Sequence, residues 1–269
     1  MAYSSLFTYL STFFFLISNL CHCFNPKLLN VSKYDDQYGG STSWSTTKAT
    51  WYGDAYGAGS DGGSCGYVNA VESEPFSSII TAIAPSLYKD GKACGTCFKV
   101  KCMPSSSSFC SGEEVTVVAT DSCPGCADDH LFDLSGISIG KMANTNQDVQ
   151  LRNVGILEIQ YQKVDCKFSG VNVAFRIDPG STANYFATAI EYEDGDGLTG
   201  VALRQANTDG EWLTMQQSWG AVFMVNLPNG YTSPFSIKLT DSSKTVVAEN
   251  VIPANYTVQT YRSLVNFGV

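Results

Sequence analysis

The stretch "EVTVVATDSCPGC", residues 114–126, sets the pattern for the front half of this 269-residue chain. It opens with a run rich in β-branched residues, which favours a short strand. It closes with Asp121 and a Cys-x-x-Cys turn. Other strand-like runs lie on both sides, at 49–53, 96–102 and 155–164, with Gly, Ser and Pro clusters between them. The front half is therefore predicted to be a small β domain.

The cysteines divide the chain into two parts. Cys21 and Cys23 lie near the N-terminus, and the other eight are Cys65, Cys94, Cys97, Cys102, Cys110, Cys123, Cys126 and Cys166. An even number in an exported chain indicates disulfides. Zinc held by the two Cys-x-x-Cys pairs is an alternative, and a thioredoxin-like redox site is a weaker one because no βαβ pattern surrounds either pair. Residues 167–269 hold no cysteine, which indicates a domain boundary near residue 167.

The N-terminal segment predicts export. The apolar run at 6–20 is shorter than the ~20 residues that span a bilayer, so residues 1–23 are predicted to be a signal peptide, with a signal anchor as the alternative. Residues 24–48 are polar and predict a flexible leader. Asn30 and Asn255 lie in glycosylation sequons. We expect a secreted, extracellular protein.

After Cys166 the sequence predicts a series of short β-strands. Short runs at 172–178, 184–193, 201–206, 221–227, 235–240 and 245–252 alternate with turn signals, which is typical of a β-sandwich. The predicted domains are a barrel at 49–167 and a sandwich at 168–269. Helices are expected after Ser135, which is a candidate cap, and in part of 76–88. The acidic run "EYEDGDG" (191–197) does not complete an EF-hand loop and is predicted to be a solvated hairpin tip.

Charge limits the classes of partner. A formal net charge of −9 and a pI of about 4.6 exclude nucleic acid and disfavour strongly anionic polymers, whereas a neutral polymer is compatible. The sequence indicates no metal, cofactor or membrane association, and we expect a monomer.

Few residues are available for catalysis. Once residues 1–23 are removed, His130 is the remaining histidine and no Gly-x-Ser-x-Gly motif accompanies it, so acyl chemistry is poorly supported. Asp121, at a strand end, and Asp133 resemble the carboxylate pair of glycoside hydrolysis, although Asp133 could instead cap the helix. Exposed aromatic rings would stack on sugars, and buried ones would belong to the core; the candidates are Trp51, Tyr52, Tyr185, Trp212 and Trp219.

Several motifs together carry a family resemblance. They are "ATWYGDAYGAGSDGGSCGY" (49–67), "KACGTCFKVKC" (92–102), "VVATDSCPGC" (117–126), "FDLSG" (132–136), "EYEDGDG" (191–197), "SWGAVF" (218–223), "PFSIKLT" (234–240) and "VIPAN" (251–255). From about residue 49 to the C-terminus the chain resembles plant β-expansins, the family that includes the grass-pollen group-1 allergens.

The resemblance implies a fold and a function. The fold would be mainly β, with a six-stranded double-psi β-barrel similar to family-45 glycoside hydrolases, followed by an immunoglobulin-like β-sandwich that binds carbohydrate. The function would be nonhydrolytic loosening of the cell wall, with cellulose, xylan or another matrix glycan as partner. Disulfides would join Cys65 to Cys94, Cys97 to Cys166 and Cys102 to Cys110, and the leftover Cys123 and Cys126 would pair across their tight loop.

The resemblance also implies roles for single residues. Thr50, Tyr52, Asp121 and Asp133 would line the barrel groove, and Trp51 would offer a sugar-facing ring. Gly62 and Gly63 would let the backbone approach the polymer, while Tyr185 and Trp219 would extend a flat platform. Two alternatives stay open: an endoglucanase with Asp133 as acid and Asp54 as base, and a wall-binding protein without loosening activity.

One stretch departs from the family pattern. The family has His-Phe-Asp, whereas residues 130–133 read His-Leu-Phe-Asp. Residues two apart in a strand share a face, so His130 is predicted to face away from Asp133, with Leu131 beside Asp133. Only a β-bulge would restore the pairing.

Overall fold

A computed structural model describes residues 43–59 and 62–268. The predicted signal peptide and Asn30 lie outside these residues. The first strand begins at Ser45, so residues 45–48, predicted to be leader, are strand instead. The reason is tertiary: β1 pairs antiparallel with β6, and Thr47 turns its side chain into the protein.

Six strands close into a barrel in the order β1-β5-β2-β4-β3-β6. Their bounds are β1 Ser45–Tyr52, β2 Ile80–Ile83, β3 Cys97–Cys102, β4 Val115–Ser122, β5 His130–Ser135 and β6 Leu157–Val164. β1 with β5 and β2 with β4 are parallel pairs, and the other pairs are antiparallel. Inward-facing side chains fill the barrel, and the rings of Phe98, Phe132 and Tyr161 contact one another at its centre.

Three short α-helices lie in the connections between the barrel strands: α1 Pro85–Tyr88, α2 Gly136–Lys141 and α3 Asp148–Arg152. Two 3₁₀ turns span Val68–Glu72 and Lys89–Gly91. The predicted cap is confirmed, because the Ser135 hydroxyl accepts a hydrogen bond from the Ser138 amide at 3.0 Å. The cap role that was the alternative for Asp133 therefore belongs to Ser135.

The second half forms an eight-stranded arrangement in the order β13-β12-β9-β10-β11-β8-β7-β14. The bounds are β7 Ala174–Ile177, β8 Tyr185–Glu191, β9 Gly200–Gln205, β10 Leu213–Trp219, β11 Val222–Asn226, β12 Phe235–Thr240, β13 Thr245–Ile252 and β14 Thr260–Arg262. The first residues of β10 pair with β9 and its last residues with β11. β10 thus joins two sheets, which pack around a common apolar core as a β-sandwich. The predicted domain boundary falls in the segment between β6 and β7.

Four disulfides are present among the described residues, as the sequence and the resemblance predicted. They are Cys65–Cys94, Cys97–Cys166, Cys102–Cys110 and Cys123–Cys126. Each of the eight cysteines between residues 65 and 166 forms one of these bonds, so none of the eight is a zinc ligand. Within the described residues, no group of three or more acidic, cysteine or histidine side chains is arranged to hold a metal ion.

A second apolar cluster joins the barrel to the sandwich. Tyr67 and Phe76 of the barrel meet Phe168 of the linking segment and Tyr192 of the sandwich, with ring centroids 5.0–6.1 Å apart. We call this contact between barrel and sandwich the seam. The acidic run 191–197 lies at the seam, so the prediction that it forms a solvated hairpin tip was wrong. The side chain of Asp194 is buried and accepts a hydrogen bond from the Phe168 amide. In the described part of the chain, no helix is long and apolar enough to cross a membrane.

Candidate functional site

The candidate site lies where β1 and β5 run parallel. Thr50 is paired with Asp133, and its hydroxyl donates a hydrogen bond of 2.6 Å to the Asp133 carboxylate. The same hydroxyl lies 3.0 Å from Nε2 of His130. Three polar side chains therefore meet in one chain of hydrogen bonds on the outer surface of the barrel.

His130 contradicts the sequence prediction. Lys48 pairs with His130 but the next residue, Ala49, pairs with Phe132, so Leu131 is an extra residue in β5. This is a β-bulge, and it returns His130 to the face of Asp133. Leu131 does not lie beside Asp133: its side chain is 4% exposed and belongs to the barrel core.

The environment of Asp133 favours its neutral form. Burial raises the pKa of the Asp133 carboxyl, and the nearby Asp121 charge raises it further. The hydrogen bond from Thr50 and the proximity of His130 act in the opposite direction without reversing the shift. A half-buried carboxyl that holds its proton to higher pH is suited to donating a hydrogen bond or a proton to a sugar oxygen.

Tyr52 follows Thr50 on the same face of β1. Its hydroxyl is buried and has no hydrogen-bond partner within the described residues. Burial, reinforced by Asp121 and Asp133, raises the pKa of the phenol well above its usual range. The ring lies against Gly59, where an added Cβ would come within 2.4 Å of it. The phenol of Tyr52 therefore stays neutral, close enough to both carboxyl groups to feel their charge.

Asp121 serves the loop that borders the site. Its Oδ1 accepts hydrogen bonds from the Ser64 amide at 2.7 Å, the Ser64 hydroxyl at 2.6 Å and the Ser122 amide at 2.7 Å. Gly63 is buried, and a Cβ there would come within 2.6 Å of the Thr120 carbonyl. Its lack of a side chain thus serves packing inside the protein, which corrects the expectation of polymer approach. Gly62 is exposed.

Trp51 and Asp54 are placed differently from Thr50 and Tyr52. Trp51 packs partly on the barrel core, and its indole nitrogen donates to the Arg152 carbonyl at 3.0 Å. The Asp54 carboxylate accepts a hydrogen bond from the Tyr56 amide, two residues along its own loop, at 2.8 Å. The structure therefore brings neither side chain into the Thr50–His130–Asp133 chain.

The proposed platform lies on the outer face of the β8–β11 sheet. Tyr185 and Met224 flank a small patch of Ala187, Ala189 and Val222 on that face. Trp219, at the end of β10, is 48% exposed. An added Cβ at Gly66 would lie 2.5 Å from its ring, so the indole rests on the barrel loop that Asp121 holds.

The sequence analysis missed two residues, one on the platform and one at the contact between barrel and sandwich. Met224 could have been found, because alternation from Val222 along β11 puts it on the face of Tyr185. Arg176 could not: its guanidinium donates to the Gly66 carbonyl and pairs with Glu191 at 3.1 Å, contacts between residues far apart in the chain.

Together the fold and the site define a class: a two-domain, mainly β protein in which a disulfide-bearing six-stranded barrel carries a polar site and is followed by a β-sandwich. Residues 80–161 match the family described as lytic transglycolase, and residues 173–253 match the expansin C-terminal domain.

Individual relatives narrow the class. The chain is 49% identical to putative expansin-B2 of Arabidopsis thaliana, over 94% of this chain and 92% of that protein. It is 50% identical to expansin-B11 of Oryza sativa subsp. japonica, over 84% and 79% of the two chains. A mutant Clavibacter michiganensis expansin in complex with cellohexaose has the same fold, with a TM-score of 0.63 and 22% identity over 84% of this chain and 98% of that one.

The chain belongs to the expansin family, within its B branch of β-expansins. Membership supports a role in loosening the plant cell wall.

Proposed function

We propose that this protein loosens the cell wall without hydrolysis, by binding a neutral glycan along the barrel and the platform. One observation carries the proposal: Asp133 is the half-buried groove carboxyl, whereas Asp54 is bound to its own loop and Oδ1 of Asp121 already accepts three hydrogen bonds. Inverting hydrolysis needs a second carboxylate, free to activate water, roughly 6.5–9.5 Å from the acid.

The polar chain of Thr50, His130 and Asp133 supports binding through sugar hydroxyls. Tyr185 and Trp219 add flat apolar area, which suits the faces of pyranose rings. The cellohexaose bound to the Clavibacter michiganensis expansin makes a β-linked glucan a reasonable ligand class. Contacts between wall glycans are hydrogen bonds worth about 1 kcal/mol each net, so an extended binder competes with them a few at a time.

Glycan cleavage is a second candidate, and a specific observation favours it. Most of the barrel matches a family named for a glycan-cleaving reaction, and the raised pKa of Asp133 suits a general acid. For hydrolysis, Asp54 would have to leave the Tyr56 amide and act as base on water.

The deciding experiment measures two outputs at once. Purified protein is added to clamped, acidified plant walls, and extension and released reducing sugar are followed together. We expect extension without sugar, and at least a several-fold loss of extension in Asp133→Asn, because the amide does not reproduce the hydrogen bonds of the carboxyl group in the chain of Thr50, His130 and Asp133. Asp54→Asn is the matched control, since its carboxylate serves its own loop.

Sustained sugar release that is lost in Asp54→Asn would establish the hydrolase. Binding to the wall without extension would leave the third reading, a wall-binding protein alone.

A second experiment tests the platform. Trp219→Ala removes an exposed ring, so retention on insoluble cellulose or xylan should fall several-fold. Trp44→Ala is the control, because Trp44 stacks with Lys101 at the far end of β1 from the groove. Equal retention of the two variants would reject the platform role.

We further propose that the protein is exported through residues 1–23 and acts as a monomer in the wall. Asn255 is exposed, as glycosylation would require. Release of a glycan by a deglycosylating enzyme, seen as a loss of mass that Asn255→Gln abolishes, would test that modification.

A further inference from the structure

The segment that follows β1 borders the groove, and we call residues 53–67 the groove loop. It meets the groove and the platform in chain order through three contacts: Gly59 with the Tyr52 ring, Ser64 with the Asp121 carboxylate, and Gly66 with the Trp219 ring. The loop therefore leads from the end of β1, past the polar side chains of the barrel, to the exposed indole of the sandwich.

Tyr56 lies at the start of the groove loop, before all three of these contacts. Its amide and that of Gly57 both donate to Asp54, at 2.8 Å to the carboxylate and 3.2 Å to the carbonyl. The Asp54 carbonyl packs on Gly136, where an added Cβ would overlap with it. Gly136 is three residues beyond Asp133, roughly 10 Å along an extended strand. The turn that carries Tyr56 is thus close to the groove carboxyl.

The Tyr56 ring is held on one face. The guanidinium carbon of Arg152 lies 4.9 Å from the ring centroid, within the range of a cation–π contact. Arg152 is itself buried and fixed, because it pairs with Asp148 at 2.7 Å and donates from Nε to the Gly136 carbonyl at 3.1 Å. The Tyr56 side chain is nevertheless 66% exposed, so the face of the ring opposite the guanidinium is open to solvent.

Exposed aromatic rings are rare on this surface. Among the residues that the structure describes, Tyr56 and Trp219 are the two aromatic residues that are exposed, and every other Phe, Tyr or Trp is buried or half-buried. Trp212 is one of the half-buried residues, with Arg204 and Lys238 against its ring. The two exposed rings therefore lie beside the first and the last part of the groove loop, with the polar groove side chains between them.

We propose that Tyr56 is a glycan-stacking residue at the barrel end of the groove, so that one neutral glycan chain runs from Tyr56 along the groove to Trp219. A flat open ring suits the apolar face of a pyranose. Since the ring already rests on a fixed guanidinium, little side-chain freedom is lost on binding. Arg152 is paired with Asp148, so this end of the groove offers apolar area rather than an unpaired cation.

This inference rests on the proposed function and extends it, because it sets the length of chain that the protein recognises. A short oligosaccharide reaches one of the two rings, whereas a longer one reaches both. The gain in affinity from cellobiose to cellohexaose should therefore shrink when either ring is removed.

The test is isothermal titration calorimetry of the full protein with cellohexaose. Tyr56→Ala should weaken binding about fivefold, as Trp219→Ala should. Tyr56→Phe should keep most of the affinity because it keeps the ring, and Tyr56→Leu should bind as weakly as Tyr56→Ala because it lacks a flat face. Trp44→Ala is the matched control: Trp44 also carries a cation on its ring, Lys101 at 3.8 Å, but it lies at the other end of β1 and its loss should leave binding unchanged.

A second measurement needs no variant. Nitration of Tyr56 in wild type, followed by peptide mass mapping, should be slowed several-fold by cellohexaose and not by an equal mass of glucose. This readout, with the comparison of Tyr56→Phe and Tyr56→Leu, decides the matter even if thermal melts show that Tyr56→Ala is not folded.

The outcomes separate this inference from the proposed function. If Tyr56→Ala bound cellohexaose as well as Trp44→Ala, or if cellohexaose left the nitration rate unchanged, the role of Tyr56 would be wrong while weaker binding by Trp219→Ala still supported the proposed function. Wild-type affinity in Tyr56→Leu would overturn stacking. Absence of cellohexaose binding by wild type would overturn both proposals.

Discussion

At the scale of single residues, Glu193 shows how burial between barrel and sandwich changes the pKa of a carboxyl group. Its Oε1 is buried without a hydrogen-bond partner in the described residues. An added Cβ at Gly195 would lie 3.1 Å from that oxygen and 3.3 Å from Oδ2 of Asp241, so the two acids point toward one place. Burial, reinforced by Asp241, Asp196 and Asp194, raises the pKa of Glu193 to about 8. Lys163 opposes the shift only partly.

This pKa predicts a pH-dependent stability. Between the ordinary pKa of 4.5 and about 8, the native state holds a proton that the unfolded state releases. The free energy of unfolding contributed by Glu193 therefore falls as pH rises through that window, and stays low above it. Glu193→Gln does not titrate, so it should gain stability over wild type, by about 2–4 kcal/mol at pH 8.5.

The measurement is denaturant unfolding of both proteins from pH 4 to pH 9. At pH 4 wild type and Glu193→Gln should have nearly the same free energy of unfolding, and this value serves as the internal reference. If the difference in free energy of unfolding between the two proteins did not change with pH, the raised pKa assigned to Glu193 would be wrong.

At the scale of elements, the bulge in β5 decides the composition of the site. It places Leu131 in the core, where its amide also donates to the Thr47 hydroxyl at 3.2 Å. The bulge sets one residue of β1 against two of β5, so His130 and Asp133 face the same way although they are three positions apart.

Leu131 makes this arrangement testable. Leu131→Ala should lower the free energy of unfolding by about 2–4 kcal/mol, as truncation of a buried leucine does. Leu131→Met should cost less than ~1.5 kcal/mol, because it conserves volume. Thermal or denaturant melts give both values. A neutral Leu131→Ala would mean that the side chain lies in the groove and that the bulge is absent.

At the scale of the whole molecule, the loop at 63–66 connects groove and platform. Asp121 holds Ser64, the Cys65–Cys94 disulfide fixes the next residue, and Gly66 carries the Trp219 ring. Arg176 reaches the Gly66 carbonyl from the sandwich and also pairs with the buried Glu191. The barrel and sandwich surfaces are thus tied through a few contacts.

Arg176→Gln should loosen this connection. It leaves Glu191 buried with weaker compensation, from the more distant Arg262, so we expect a loss of about 1–3 kcal/mol in the free energy of unfolding. Adding Glu191→Gln should recover part of it. In binding measurements, affinity for cellohexaose should fall more than affinity for cellobiose, because only the longer chain reaches both domains.

Lys99→Gln is the control, since its exposed ion pair with Glu114 lies within the barrel and does not reach the sandwich. Equal losses for both oligosaccharides would contradict a role of Arg176 in domain alignment.

The fold was largely predictable from local patterns. Strand alternation, Gly and Pro punctuation, the even cysteine count and the Ser135 cap depend on neighbours in the chain, and all appear in the structure. The start of β1 was misplaced by four residues because the polar segment 45–48 becomes strand only by pairing with β6.

The candidate site was predictable only in part. Thr50 and Asp133 were identified from motifs, and the structure joins them by a hydrogen bond. The position of His130 was wrong, because a bulge depends on the register of two strands 80 residues apart. Likewise, Gly63 and the acidic run 191–197 are governed by packing against distant segments.

By itself, then, the sequence determined the two β domains, the disulfide-bearing half and the family. The tertiary structure alone decided which face each polar side chain occupies, how the sandwich is anchored to the barrel, and where Glu193 and Tyr56 find their neighbours. The physical reason is that strand type follows from residues close in the chain, whereas pKa, burial and cation–π contacts depend on groups that only folding brings together.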